Sequence, residues 1–215
     1  MRDLYEAQLA TLKNDMIRMG ALCEEAISAA IQGLLENDPG SAKRVSDIES
    51  EIDDFERDIE RLCMRLLLKQ QPVATDLRTV SSALCMISDL ERIGDQAFDI
   101  ADITKNQSEH KDFASKVHIK EMANAVIVMV TDSVDSYVKL DQKLEEKVAT
   151  EDDNIDALFL KIFHEIAALI ESGDSGAEQA LDLLMIAKYL ERIGDHAVNV
   201  SEWVIYAITG EHVKK

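Results

Sequence analysis

Proline is nearly missing from this chain of 215 residues: there are 2, with only 8 glycines. Helix-breaking residues are therefore scarce, and the apolar spacing is helical almost throughout, so an all-α protein is expected. Basic residues are also short, 23 against 42 acids, for a net charge of −19. Such a surface repels phosphate backbones and argues against nucleic-acid binding, while it suits cations and basic patches on protein partners. Cysteine occurs three times, as Cys23, Cys63 and Cys85, with no CxxC. A scattered, odd set reads as reduced core cysteines in a cytoplasmic protein. No apolar run approaches the roughly 20 residues of a membrane helix, so membrane association is expected to be peripheral. The N-terminal MRDLYEAQLATLKND is charged and lacks an apolar core, so no secretory leader is expected. The chain contains no GxxxxGK[ST], GxGxxG or GxSxG. No His follows a Glu by three residues, which argues against a ferritin-like di-iron oxidase. Tyr189, Trp203 and Tyr206 read as packing residues.

What is present is a repeat. LERIGD occurs at Leu90 to Asp95 and again at Leu190 to Asp195, with an alanine two residues after each copy, Ala97 and Ala197. Six identical residues one hundred positions apart indicate an internal duplication. Two similar halves follow, residues 1–108 and 109–215, each expected to be an up-down-up bundle of three helices. Apolar residues are 47% of the chain, enough for each half to fill a core.

The periodicity predicts six helices. The first spans about Arg2 to Asn37. Asp38 is the expected N-cap of the second, with Pro39 at its first position. Gln71-Pro72 ends it, and Pro72 opens the third, which fades near Asn106. Asn106 to Phe113 is a polar link. The fourth follows, Asp141 caps the fifth, Gly173 ends it, and Asp174 or Ser175 caps the sixth, which runs to about Thr209. Asp38, Val45, Ile52 and Asp53 match Asp141, Val148, Ile155 and Asp156 at an offset of 103, whereas the LERIGD helices match at 100. Gly94 and Gly194 read most simply as packing positions where a neighbouring helix crosses closely, each costing about 1 kcal/mol relative to Ala.

One constellation could carry chemistry. Acids four residues apart recur at matched places: Glu49 and Asp53, Glu91 and Asp95, Asp152 and Asp156, Glu191 and Asp195. Residues at this spacing share a helix face. Each pair sits at the edge of an apolar stripe, so two neighbouring helices can bring four carboxylates together. Like charges so close repel, and a bound cation would relieve them. All-oxygen ligands suit hard ions such as Mg²⁺, Mn²⁺, Ca²⁺ or iron, and Zn²⁺ is not distinguishable from them by sequence. In so acidic a chain, pairs such as Asp54/Asp58 and Glu56/Glu60 arise freely, and most acid pairs are solvated faces. For Glu91 and Glu191 the plain alternative is a salt bridge to a Lys or Arg of a neighbouring helix. Arg92 and Arg192 point away from the apolar arc, as solvated or partner-contacting residues.

QPVATDLRTV at Gln71 to Val80, SDLERIGDQA at Ser88 to Ala97 and YLERIGDHAVNV at Tyr189 to Val200 resemble the PhoU family, as do LATLKNDMIRMGALCEEAI and IDDFERDIE. The resemblance covers nearly the whole chain. It implies two tandem three-helix bundles, a cytoplasmic location, and metal at the acid-x-x-x-Asp motifs, here Glu49/Asp53, Glu91/Asp95, Asp152/Asp156 and Glu191/Asp195. Asp99 departs from the pattern, standing where the second half has Asn199, and implies a more acidic first site. The implied role is non-enzymatic: negative regulation of the phosphate-starvation response, coupling the ATPase subunit of a phosphate ABC transporter to a phosphate-sensing histidine kinase. A homodimer is compatible with it. The alternatives are a carboxylate-metal hydrolase acting on phosphate esters, for which no general base stands out, and a metal-free helical adaptor.

Overall fold

The computed structural model describes residues 2–38, 40–70, 75–105, 113–173 and 176–212. Among them are six long helices and no strand: α1 (Arg2–Glu36), α2 (Ser41–Gln70), α3 (Thr75–Thr104), α4 (Ile119–Lys139), α5 (Gln142–Ser172) and α6 (Ala177–Thr209). The three-four spacing of apolar residues produces them. In α3 the stripe Ala83, Met86, Leu90, Ile93, Ala97 and Ile100 is wholly buried. No described helix is long and apolar enough to cross a membrane.

Helix α2 packs on α1 and α3, and α5 packs on α4 and α6. The halves meet where α3 lies on α6 and α1 on α4, so a four-helix centre carries α2 and α5 as outer helices. The buried apolar residues form one continuous cluster through both halves. Polar contacts cross the join. Tyr137 of α4 is fully buried and donates its hydroxyl to the Thr79 carbonyl of α3 at 3.1 Å. Lys13 of α1 donates to the Val138 carbonyl at 3.0 Å, and Arg78 of α3 to the Ala207 carbonyl of α6 at 3.2 Å. Gly20 lets α1 approach α4: a Cβ there would lie 2.9 Å from a Val134 methyl.

The ends of the helices follow their residues. Asp141 caps α5 as expected, accepting from the Lys143 N–H at 2.9 Å. Gly173 ends α5 and Gly210 ends α6 with φ of 73° and 81°, the left-handed region that favours glycine. Asp38 departs slightly from expectation. Its carboxylate accepts from the Gly40 N–H at 2.8 Å, but α2 begins at Ser41, and Gly40 supplies the first helical acceptor, to Arg44. Pro39 lies outside the described residues, as do Pro72, Asp174, Ser175 and residues 106–112 of the link. The described start of α6 has Gly176 as its N-cap, with no side-chain cap.

Candidate functional site

The two LERIGD segments lie at mid-length on α3 and α6, and each glycine admits a residue of the outer helix. A Cβ on Gly94 would lie 2.9 Å from the Cδ1 of Ile52 on α2. A Cβ on Gly194 would lie 3.5 Å from a methyl of Ile155 on α5 and 3.8 Å from Oδ1 of Asp152. Gly94 is thus a position of close helix packing, whereas at Gly194 a Cβ would make ordinary contact; in both halves the acidic turn of the outer helix lies against the LERIGD turn.

In the first half, burial raises the Glu49 carboxyl above its ordinary range, and Asp53 and Asp95 add to the rise. Burial also raises Glu91, with Asp95, Glu56 and Asp53 adding and Arg92 opposing. Carboxylates from α2 and α3 therefore act on one another across a shared groove, as the matched spacing suggests. Cations of the chain partly meet this charge. Arg92 lies 3.6 Å from Glu91 and 3.2 Å from Asp95, and Arg57 lies 3.6 Å from Asp53. Glu56 also belongs to this groove: it accepts from Ser88 at 3.4 Å, and burial, Asp53 and Glu60 raise its carboxyl.

The second half repeats the arrangement between α5 and α6. Burial raises Asp152, and Asp195, Asp156, Asp153 and Glu191 all add to it. Burial likewise raises Asp195, with Glu191 and Asp156 adding while Lys188 and His196 oppose. Lys188 lies 2.5 Å from Glu191 and sits over the ring of Phe159. By the repeat, Phe159 and Lys188 stand where the first half has Glu56 and Ser88. At these two positions an acid and a hydroxyl of the first groove give way to an aromatic ring and a base in the second.

Eight carboxylates in two grooves offer the oxygen donors that hard cations take. Among the described residues, however, no group of three or more His, Cys, Asp or Glu side chains is gathered to hold an ion. Arg57, Arg92 and Lys188 stand against the acids instead. The donor chemistry fits a cation, and the side-chain positions do not form a coordination set.

A second polar arrangement joins the halves. Asp89 of α3 accepts from the Nδ2 of Asn199 on α6 at 3.2 Å, and its carboxylate lies 2.9 Å from Nδ1 of His196. At the other end of this contact, the Tyr189 hydroxyl donates to Asp99, which also lies in the field of Arg192. Asp99 thus makes its hydrogen bond to α6, although burial and Asp95 raise its carboxyl. Glu56 and the Asp89 pair were not singled out by spacing. The available signals were the i+3 step from Asp53 and the exchange of Asp89/Tyr189 with Asp99/Asn199 under the repeat.

The PhoU domain, as a sequence family, matches residues 16–104 and again 119–204. The chain is 36% identical to a phosphate-specific transport system accessory protein PhoU homolog of Clostridium acetobutylicum, over 99% of this chain and 97% of the relative. It is 31% identical to the homolog of the same description from Pseudomonas aeruginosa, over 98% and 87%. The fold matches the crystal structure of PhoU from Pseudomonas aeruginosa with a TM-score of 0.85 and 30% identity, covering 96% of this chain and 100% of that one. The phosphate transport system regulatory protein PhoU from Streptococcus pneumoniae matches with a TM-score of 0.87 and 26% identity, covering 98% and 100%.

Proposed function

We propose, because the chain belongs to the PhoU family, that it is an accessory regulator of a phosphate-specific transport system and works by docking. The observation that carries this reading is the match to accessory proteins over nearly the entire length, with the family domain found in each half. The fold suits the role. Two bundles share one core, so each presents a long rigid face while the join holds their relation fixed. On this reading the chain is cytoplasmic. It contacts the transporter's ATPase subunit and a phosphate-sensing histidine kinase, and restrains the phosphate-starvation response when phosphate is plentiful.

The eight groove acids would take part by holding a divalent or trivalent cation: iron, manganese, magnesium, calcium or zinc. What supports this is their mutual repulsion across each groove and their all-oxygen chemistry. Loading requires the acids to turn away from Arg57, Arg92 and Lys188, so metal would also free those cations for a partner.

Affinity capture of the tagged full chain from phosphate-replete cells tests the role. Recovery of a phosphate transporter ATPase is expected, together with constitutive expression of starvation genes when the chain is deleted. Absence of both results would overturn the reading.

A further inference from the structure

Exposed apolar side chains stand on the outer surface of the second half, mostly at places where the first half has none of comparable size. On α5, Leu160, Phe163 and Ile170 are 58%, 45% and 50% exposed. Their spacing of three and seven puts them on one face. On α6, Leu181 and Met185 are 62% and 45% exposed and form a parallel stripe. Two contacts fix the register of these antiparallel helices: Lys188 sits over the Phe159 ring, and Asp152 lies against Gly194. One turn further along, Phe163 is level with Met185, and the next turn brings α5 level with Leu181. The five side chains therefore line one shallow trough between the helices.

The internal repeat provides a control within the molecule. Four of the five, Leu160, Phe163, Leu181 and Met185, occupy the places of Arg57, Glu60, Ser81 and Cys85 in the first half, while Ile170 matches Leu67. Helix pairing alone does not demand large apolar residues at those four places, because the first half pairs the same helices without them. A patch of this kind, on one of two related surfaces, marks a contact site.

Charge selects the occupant. The trough runs from the groove acids Asp156 and Asp195 at one end to the exposed Glu171 and Glu178 at the other. Of the cations beside it, Lys188 is paired with Glu191, Lys161 lies toward Glu121 of α4, and Arg192 lies in the field of Asp99. A second copy, itself at −19, would bring its own acids against these, and an anionic bilayer would be repelled likewise. We propose that the trough between α5 and α6 receives an amphipathic helix of a protein partner, its apolar stripe on the five side chains and its flanking Lys and Arg residues on the acids at both ends. Seated there, it would complete a four-helix arrangement with α4, α5 and α6. The inference deepens the reading of the chain as a docking scaffold and rests on it. It does not depend on metal.

The test uses the full chain and a synthetic peptide of about 18 residues, five helical turns, with Leu on one face and Lys on the other. Fluorescence anisotropy reads the affinity. Saturable binding is expected, weakening as salt is raised. The double variant Leu160→Gln/Leu181→Gln, at exposed positions and without change of charge, should weaken it about tenfold, or 1.4 kcal/mol. Glu171→Gln/Glu178→Gln should reduce the salt dependence. Met64→Gln/Leu68→Gln, on exposed apolar residues of the first half, should leave affinity unchanged. Unchanged affinity in Leu160→Gln/Leu181→Gln would overturn the proposal, as would equal binding of the same Leu face backed by Glu. So would a dimer of the chain that those substitutions dissociate, since a second copy would then be the occupant. Transporter capture can fail while the peptide binds, and the reverse, so the two readings are separable.

Discussion

Asp89 of α3 and His196 of α6 stand 2.9 Å apart, and Asn199 completes the contact by donating to the same carboxylate oxygen. Asp99 and Tyr189 form the matching contact at the other end. Under the hundred-residue repeat, Asp89 corresponds to Tyr189 and Asp99 to Asn199, so the duplicated helices meet about a local two-fold near Gly94 and Gly194. The repeat is thus expressed as an interface, and this pair should carry part of its stability. Asp89→Ala removes the carboxylate that His196 and Asn199 share and should cost about 1–2 kcal/mol. For a chain of this size that lowers Tm by about 2–4 °C per kcal/mol. Thermal unfolding of Asp89→Ala, Asn199→Ala and the double variant should give a coupling energy well above zero. Additive losses would show that the contact is spectator to the join.

The two LERIGD glycines should respond differently to alanine. Helix propensity favours Gly→Ala by about 1 kcal/mol at both sites. At Gly194 the new Cβ finds ordinary contact with Ile155 at 3.5 Å, so Gly194→Ala should raise Tm. At Gly94 it would meet Ile52 Cδ1 at 2.9 Å, and the buried side chain must shift. Gly94→Ala should therefore give less stability than Gly194→Ala, or lose some. Ile52→Val, which removes the crowded methyl, should be tolerated better in the Gly94→Ala background than in the parent. A parent-like penalty for Ile52→Val in both backgrounds would contradict this.

The helices were legible because every one carries a three-four apolar stripe. Glycine at 173 and aspartate at 141 were legible because a left-handed stop and an N-cap each demand a narrow choice of residue. The acid pairs facing across the grooves were legible because two aligned stripes leave their edges only one place to meet. The counter-charges were not, since where Arg57, Arg92 and Lys188 reach depends on rotamers rather than on register. Glu56 looked like a surface acid, and only the approach of Ser88 from α3 places it in the groove. Asp99 read as a further groove acid and makes its hydrogen bond across the join to Tyr189, because the interface between halves leaves no mark in the spacing of either half alone.

Acidity in the second groove gives a pH dependence of stated sign. The Asp152 carboxyl is raised by burial first and then by four neighbouring acids, with no cation opposing. A raised carboxyl binds protons more readily folded than unfolded, so its ionisation weakens the fold as pH rises through the raised value. The cost is fully present above that value and vanishes as pH falls below the unfolded value of about 3.9. Asp152→Asn should accordingly raise Tm at pH 7, with the gain closing as pH is lowered into the carboxylate range. A gain equal at pH 7 and at about pH 3.5 would point to packing rather than charge.

Metal retention separates the groove acids from the acids that merely share their spacing. Asp54 and Asp58 are also four apart, but their side chains are 72% and 73% exposed and are paired with Arg57 and Arg61 at 2.6 and 3.0 Å. They have a solvated cation each. Glu91 and Asp95 share one arginine, and α2 directs further acids at Glu91. A cation should therefore gain most where the chain's own counter-charge is thinnest. After incubation with Mn²⁺ or iron and removal of free ion, Glu91→Ala/Asp95→Ala should retain about half the metal of the parent, the first groove being lost and the second kept. Asp54→Ala/Asp58→Ala should retain all of it, and adding Glu191→Ala/Asp195→Ala to the first pair should abolish retention. Elemental analysis reads the outcome directly. Equal losses from the groove pair and the exposed pair would mean that any bound ion belongs to the diffuse field of the −19 surface and not to these acids.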